Sequence, residues 1–355
     1  MTRVKTFKIA SIPGDGIGPE VMAEAHKLLE RISELDPEVS FEIDTFPWGC
    51  EYYLEKGEMM PENGLEILAG YDAILLGAIG FPGVPDHVSL HGLLLKIRKG
   101  FDQYIGFRPI KLLPGAPRVL VGKGPEDIDM IFIRENTEGE YAGVGGRMYE
   151  GTPRELALQT GVFTRAGIER VQRYAFELAR STGRPLTSIT KSNALNYSMV
   201  LWDEIFTELV KEYPEVETNS LLVDAAAMFM VRSPERFGVL VASNLFADIL
   251  TDLGAALQGG LGFAAGANIN PEGKHPSMFE PIHGSAPDIA GKGISNPIAS
   301  LWTAKLMLDH LGLTNWGERV LAAISKVVSE GQVATPDMGG KATTSEVGEA
   351  VRNAL

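Results

Sequence analysis

Residues 7–12, Phe-Lys-Ile-Ala-Ser-Ile, read as a buried strand that runs straight into Pro13-Gly14-Asp15-Gly16-Ile17-Gly18-Pro19-Glu20. A helical pattern follows through Val21, Ala25, Leu28, Leu29 and Ile32. Strand, glycine turn and helix together are the setting of a dinucleotide-binding fingerprint. That fingerprint needs glycine at position 19, where this chain has Pro19. Proline suits the first turn of a helix, so the turn reads as an active-site or cofactor loop, with a purely structural strand-to-helix turn as its rival. The start of the chain thus points to an α/β fold and away from a Rossmann phosphate cradle.

Further strands are expected at residues 41–46, 73–76, 130–133, 186–190, 220–223 and 239–242. Helices are expected at 62–68, within 87–98, and at 165–180, 202–213 and 298–311. This alternation predicts a largely parallel sheet. Residues 138–163 break it with a glycine turn and an alternating run, as an extended β excursion would, or an ordinary hairpin. The chain has 355 residues, enough for roughly two domains. A net charge of -14 argues against general binding to nucleic acid or to an anionic membrane. No apolar run reaches the length of a membrane span, and the start has no signal-peptide core, so a cytoplasmic protein is the default. The single cysteine, Cys50, excludes an intrachain disulfide and reads as a small buried hydrophobe.

The most chemical stretch is Ser243-Asn244-Leu245-Phe246-Ala247-Asp248-Ile249-Leu250-Thr251-Asp252. It opens with helix-capping residues and has apolar residues at helical spacing. Asp248 and Asp252 are four apart, so on a helix their carboxylates share one face. Five apolar residues (Leu245, Phe246, Ile249, Leu250 and Leu253) predict a helix that is mostly buried. Two like charges there call for a positive partner, and Mg2+ or Mn2+, which take oxygen ligands, would serve. A solvated acidic face is the rival reading. Asp224 follows a strand and suits either a helix cap or a third metal ligand. Arg98, Arg108 and Arg134 sit near the ends of apolar segments and would match a polyanion if they converged. Lys191 ends a strand, where burial could make it a base; a surface charge is the plainer alternative.

Four motifs together give the chain a resemblance. They are Gly14 to Glu20, the set Arg98/Arg108/Arg134, Asn244 to Asp252, and His283-Gly284-Ser285-Ala286-Pro287-Asp288-Ile289-Ala290-Gly291. The chain resembles, over essentially its whole length, the β-decarboxylating dehydrogenases of 2-hydroxy acids, which include isocitrate, 3-isopropylmalate and tartrate/D-malate dehydrogenases. The resemblance implies a two-domain α/β fold that is not Rossmann. One domain would combine residues 1–103 and 260–355; the other, 104–259, would carry a β arm at about 138–163 for dimerisation. It implies metal ligation by Asp224, Asp248 and Asp252, substrate binding by the three arginines, and Tyr141 with Lys191 as acid–base pair. In the family, Lys191 and Asp224 reach the site from the neighbouring subunit, which implies a homodimer with shared active sites. NAD would lie on His283, Gly284, Ser285, Ala286, Asp288, Ile289 and Asn296, because Asp288 and Ile289 match the NAD-preferring members. A carboxylate there would accept from a free ribose hydroxyl and repel a 2′-phosphate.

The residues before Arg98 bear on the substrate. Isocitrate members have Ser and Asn where this chain has Gly92 and Leu94, which offer a third carboxylate no side-chain hydrogen bond. Isopropylmalate members have Glu where this chain has His91. The run Pro85-Asp86-His87-Val88-Ser89-Leu90 and Gln103-Tyr104 look like the tartrate/D-malate members, although those have Trp at the position of His91 and Ser at that of Leu93. The expectation is NAD- and metal-dependent oxidation and decarboxylation of a D-malate/tartrate-type 2-hydroxy acid, with His91 and Leu94 facing the substrate. 3-Isopropylmalate is the main alternative. A silent regulatory subunit and a small-molecule binding protein are the readings from other classes.

Overall fold

A computed structural model describes residues 4–355. These cluster into two compact units: residues 4–103, 111–125 and 255–355 form unit one, and residues 104–110 and 126–254 form unit two.

Unit one opens with β1 (Lys5–Gly14), α1 (Gly18–Leu35) and β2 (Val39–Thr45). Two short helices, α2 (Cys50–Lys56) and α3 (Gly64–Leu68), lead to β3 (Ala73–Ala78). Then come α4 (Asp86–Ser89), a π turn at Leu90–Leu94, and α5 (Leu95–Gly100). Its strands run in the order β2-β1-β3, then β12 (Ser277–Pro281) and β11 (Ala265–Ile269). β1 is parallel to β2 and β3, and β3 to β12, whereas β11 and β12 are antiparallel. The antiparallel pair departs from the largely parallel pattern. Its residues, Ala-Gly-Ala-Asn-Ile and Ser-Met-Phe-Glu-Pro, have weak strand propensity, and their pairing comes from the sheet rather than the local sequence.

α10 (Ile298–His310) is buried on nearly every side and packs on β11, β12, α1 and α11 (Thr314–Glu330), as a helix apolar all round must. The last helix, α12 (Thr344–Asn353), begins with a capping box between Thr343 and Glu346. It docks on α1 through an ion pair of Arg352 with the buried Glu24.

Unit two contains β4 (Ile105–Lys111), β5 (Asp129–Glu135), β8 (Leu186–Thr190), β9 (Thr218–Leu222) and β10 (Val239–Ala242). Their order is β4-β5-β10-β8-β9, and the pairs β5/β10, β10/β8 and β8/β9 are parallel. The helices are α6 (Arg165–Thr182), α7 (Ser198–Glu212), α8 (Val223–Arg232) and α9 (Asn244–Leu257). α6 starts where the Thr164 side chain accepts from the Gly167 N–H, and ends at Gly183 in the left-handed conformation. The excursion at 138–163 is a separate antiparallel ladder of β6 (Gly139–Met148) and β7 (Leu156–Val162), with Val144, Met148, Leu156 and Leu158 exposed. No helix among the described residues is long and apolar enough to cross a membrane.

Cys50 is fully buried, and burial, reinforced by the Asp15 carboxylate, pushes its thiol up to about 12. The thiolate is the reactive form. Native protein at pH 8 should therefore resist a thiol reagent, and unfolding in urea should release one reactive thiol per chain. Stoichiometric labelling within seconds under native conditions would contradict this placement.

Candidate active site

β10 is buried throughout and delivers the chain to Ser243, whose carbonyl accepts from the Ala247 N–H as α9 begins. Asn244, Ala247, Leu250, Thr251 and Gly254 form the buried stripe of this helix, at the i, i+3, i+7 spacing that puts residues on one face. The expected deep burial of α9 does not hold. Ile249 is 61% exposed, Asp252 is exposed, and Leu245, Phe246 and Leu253 are half-buried. Five apolar residues over nine positions are too many for one stripe, so some face outward. Gly254 lets β4 approach closely: a Cβ there would meet Ile110 Cδ1 at 2.1 Å.

Asp248 is the hub of this face. Arg134, at the carboxyl end of β5, is aligned with Ala242 of β10, which places its side chain where α9 starts. The guanidinium is 2% exposed; Nε and Nη2 both donate to Asn244 Oδ1, at 3.0 and 2.7 Å, and Nη1 donates to Asp248 Oδ1. Arg108, also buried on β4, donates through Nη1 to the Thr251 hydroxyl and, at 3.4 Å, to the same Asp248 oxygen. The Tyr141 hydroxyl donates to Asp248 Oδ2 at 2.7 Å, and the Arg134 guanidinium lies 5.3 Å from its ring centre. One turn on, Asp252 is pushed up by desolvation; Arg108 and Arg134 oppose this, and Asp248 adds to it.

The structure thus joins Arg108, Arg134, Tyr141, Asp248 and Asp252. The positive charge offsetting Asp248 is supplied by two guanidiniums. Asp248 and Asp252 remain a pair of carboxylates one turn apart. That donor set fits Mg2+ or Mn2+, which take one or two protein carboxylates together with substrate and water oxygens.

Lys191 and Asp224 form a second group. Lys191 follows β8 and its Nζ is 2.8 Å from Asp224 Oδ1. Asp224 lies in the first turn of α8, whose cap position is Leu222, so it is not the cap. The Lys191 ammonium, with backbone N–H groups, holds its carboxyl below the usual range. No group of three His, Cys, Asp or Glu residues among the described residues is arranged to hold a metal, so Asp224 does not join Asp248 and Asp252 within one chain.

In unit one, Arg98 lies in the last turn of α5 and is buried, donating at 2.7 Å to Glu280 Oε1, which also accepts from Asn268 Nδ2 at 2.8 Å. Its Nε has no partner among the described residues. Upstream, the expected helix widens into the π turn that carries exposed His91 and half-buried Leu94. Gly92 in that turn packs on Met59, where a Cβ would sit 2.6 Å from Cγ. Such turns are rare, and often mark functional positions.

The turn of residues 14–20 grips the His283 loop. The Ile17 N–H donates to the Ser285 carbonyl at 2.8 Å, and a Cβ on Gly16 would be 2.0 Å from that oxygen. Glu20 accepts from the Ser295 hydroxyl and, at 3.2 Å, from the Gly293 N–H. Asp15, buried, accepts from the Cys50 and Gly80 N–H groups at 2.8 and 2.9 Å and so ties three loops together. His283 is buried with Nδ1 3.0 Å from the Gly284 carbonyl; Nε2 has no partner among the described residues, and burial pushes the imidazole down. Ala286 has φ +40°, and Gly284, Pro287 and Asp288 are exposed while Ile289 is half-buried. Asn296 donates to Asp337 at 2.9 Å and accepts from the Ile298 N–H at 3.0 Å.

Asn244, Thr251, Glu280 and Asp15 hold groups of these clusters without standing out from the sequence pattern as partners. The first two are nonetheless readable there, since they lie four before and three after Asp248 on one helical stripe.

The chain matches the family described as isocitrate/isopropylmalate dehydrogenase over residues 8–351. It is 51% identical to the D-malate dehydrogenase [decarboxylating] of Escherichia coli (strain K12) over 358 aligned positions, covering 98% of each chain. It is 48% identical to the tartrate dehydrogenase/decarboxylase of Pseudomonas putida, covering 99% of this chain and 98% of that one. The crystal structure of isocitrate dehydrogenase from Methylococcus capsulatus superposes with a TM-score of 0.87 at 35% identity, over 98% of this chain and 99% of the other. With a fold of that kind and relatives that are dehydrogenases, the chain belongs to the isocitrate/isopropylmalate dehydrogenase family.

Proposed function

We propose that this enzyme oxidises a D-malate/tartrate-type 2-hydroxy acid with NAD and, with D-malate, goes on to lose CO2 and yield pyruvate. The observation that carries this is Asp248, where two buried arginines and a tyrosine hydroxyl meet beside a second carboxylate. Arg108 and Arg134 against Asp248 and Asp252 are formally neutral. A divalent cation and a dianionic acid entering together keep that balance.

Asp248 and Asp252 would hold the cation, which would polarise the C2 oxygen of the substrate, and the loop from His283 to Asn296 would hold the nicotinamide cofactor that accepts the hydride. The chain's own residues do the rest. Arg98, Arg108 and Arg134 bind carboxylates through guanidinium forks. Lys191, as the neutral amine, takes the C2 hydroxyl proton as the hydride leaves. The 2-oxo acid so formed carries a carboxylate β to its ketone. That carboxylate departs as CO2, the electron pair of the broken C–C bond moves into the ketone to give an enolate, and Tyr141 returns a proton to carbon. Asp288, exposed on its loop, favours a free ribose hydroxyl over a 2′-phosphate.

A homodimer is part of this reading. Lys191 and Asp224 pair with each other within the chain, apart from the Asp248 group, and the exposed apolar side chains of the β6/β7 hairpin need a cover. The partner's copies of Lys191 and Asp224 would complete each site. A second reading, 3-isopropylmalate, is favoured by half-buried Leu94, an apolar surface on the π turn.

NADH formation with Mn2+ across D-malate, L- and meso-tartrate, 3-isopropylmalate and isocitrate tests the proposal. Turnover should be fastest with D-malate or a tartrate and should stop with EDTA. Preference for 3-isopropylmalate would replace the substrate assignment, and EDTA-insensitive turnover would refute the metal role. Lys191→Ala should lower kcat by at least about a hundred-fold, within the usual range for a general base, while Mn2+ still binds. A rate near that of the unaltered enzyme would assign the proton transfer to another group.

A further inference from the structure

The α9 face that carries Asp248 also carries two neutral side chains, one on each arginine. Asn244 is fully buried, and its Oδ1 takes both Nε and Nη2 of Arg134. Its Nδ2 donates at 3.1 Å to the carbonyl of Glu138, three residues before Tyr141. The amide orientation is therefore fixed from both ends: the oxygen has to face the arginine because the nitrogen serves a carbonyl. Thr251 is buried and solves the same problem with a hydroxyl. Its proton goes to the Asp248 main-chain carbonyl at 3.2 Å, leaving the oxygen to accept from Arg108. Positions 244, 248 and 251 fall on one stripe, so a single helix face presents acceptor, acid, acceptor to two strands.

We propose that Asn244 and Thr251 are the positioning residues of the two substrate-binding arginines, fixing the angle at which Arg134 and Arg108 meet a dicarboxylate. A guanidinium side chain has several rotatable bonds, and a carboxylate clamp works only when its planar fork is aimed in advance. Asp248 cannot do this alone, because its carboxylate would turn to the cation when cation and substrate enter. Asn244 and Thr251 carry no charge to exchange, so they keep their hold on the arginines through the cycle. This inference rests on the function proposed above.

The test compares Thr251→Val, which has nearly the same shape but no hydroxyl, with Thr251→Ser, which keeps it. Each variant is assayed as the full-length enzyme on the hydroxy acid that the unaltered enzyme turns over fastest. Loss of a hydrogen bond to a charged group predicts a KM for that acid about ten-fold higher in Thr251→Val. The KM for NAD should stay within about two-fold, and Thr251→Ser should return the acid KM to near the unaltered value. A purely structural role would not separate the two KM values, nor respond to the hydroxyl alone. Asn244→Ala should show the same split with a larger rise in acid KM, since it removes the acceptor for two N–H groups. Equal acid KM values in Thr251→Val and Thr251→Ser would overturn the proposal, as would parallel rises in both KM values. If the unaltered enzyme turned over none of the hydroxy acids, the functional reading itself would fail, an outcome distinct from these.

Discussion

A single carboxylate, Asp248, is shared by two buried arginines, and much of unit two is arranged to make that sharing possible. A guanidinium that is 2% exposed cannot stand without counter-charge and hydrogen-bond acceptors, because desolvating it costs several kcal/mol, roughly, unless both are supplied. α9 supplies both from one face. The carboxylate is itself 37% exposed, so the arginines are anchored inside while the acid between them still meets solvent. A fully buried pair would be inert, and an exposed one would be weak and poorly aimed. This graded burial, with arginines deep and acid at the rim, anchors the arginines while leaving the carboxylate between them open to solvent.

The loops of unit one follow a related logic with backbone groups in place of charges. Gly16 allows its turn to lie against the Ser285 carbonyl, a position no side chain could share. Asp15 and Glu20, on either side of that turn, accept from N–H groups of loops distant in sequence. The motif that fails as a phosphate cradle therefore acts as a clasp on the loop from His283 to Asn296. Pro19 at the first turn of α1 is compatible with that role, since the missing N–H would have had no helical partner.

Much of this was legible in the sequence. The strand–turn–helix start, the buried strands at 186–190 and 239–242, and the pairing of Asp248 with Asp252 all follow from local pattern. So does the hairpin at 138–163. The antiparallel β11/β12 pair was not legible, because glycine, alanine and asparagine do not favour strands and only neighbouring strands hold them extended. Nor was the π turn at Leu90–Leu94, whose single-residue widening leaves the apolar pattern almost unchanged. The identity of the positive charge on Asp248 was also out of reach. Helical spacing says that two carboxylates share a face, but which cations reach them depends on strands far away in sequence. Glu280 was in plain view beside His283, yet its bond to Arg98 spans 182 residues.

The most direct test of the account is Mn2+ binding, followed by electron paramagnetic resonance in the presence of D-malate, for the unaltered protein and for Asp248→Asn. Asparagine keeps the size of the side chain and an oxygen for Arg134 and Arg108, so the fold and the arginine contacts should survive. Asp248→Asn should lose Mn2+ binding at concentrations that saturate the unaltered protein. Binding of equal strength in both would contradict this, leaving Asp248 as an arginine anchor and placing the metal elsewhere.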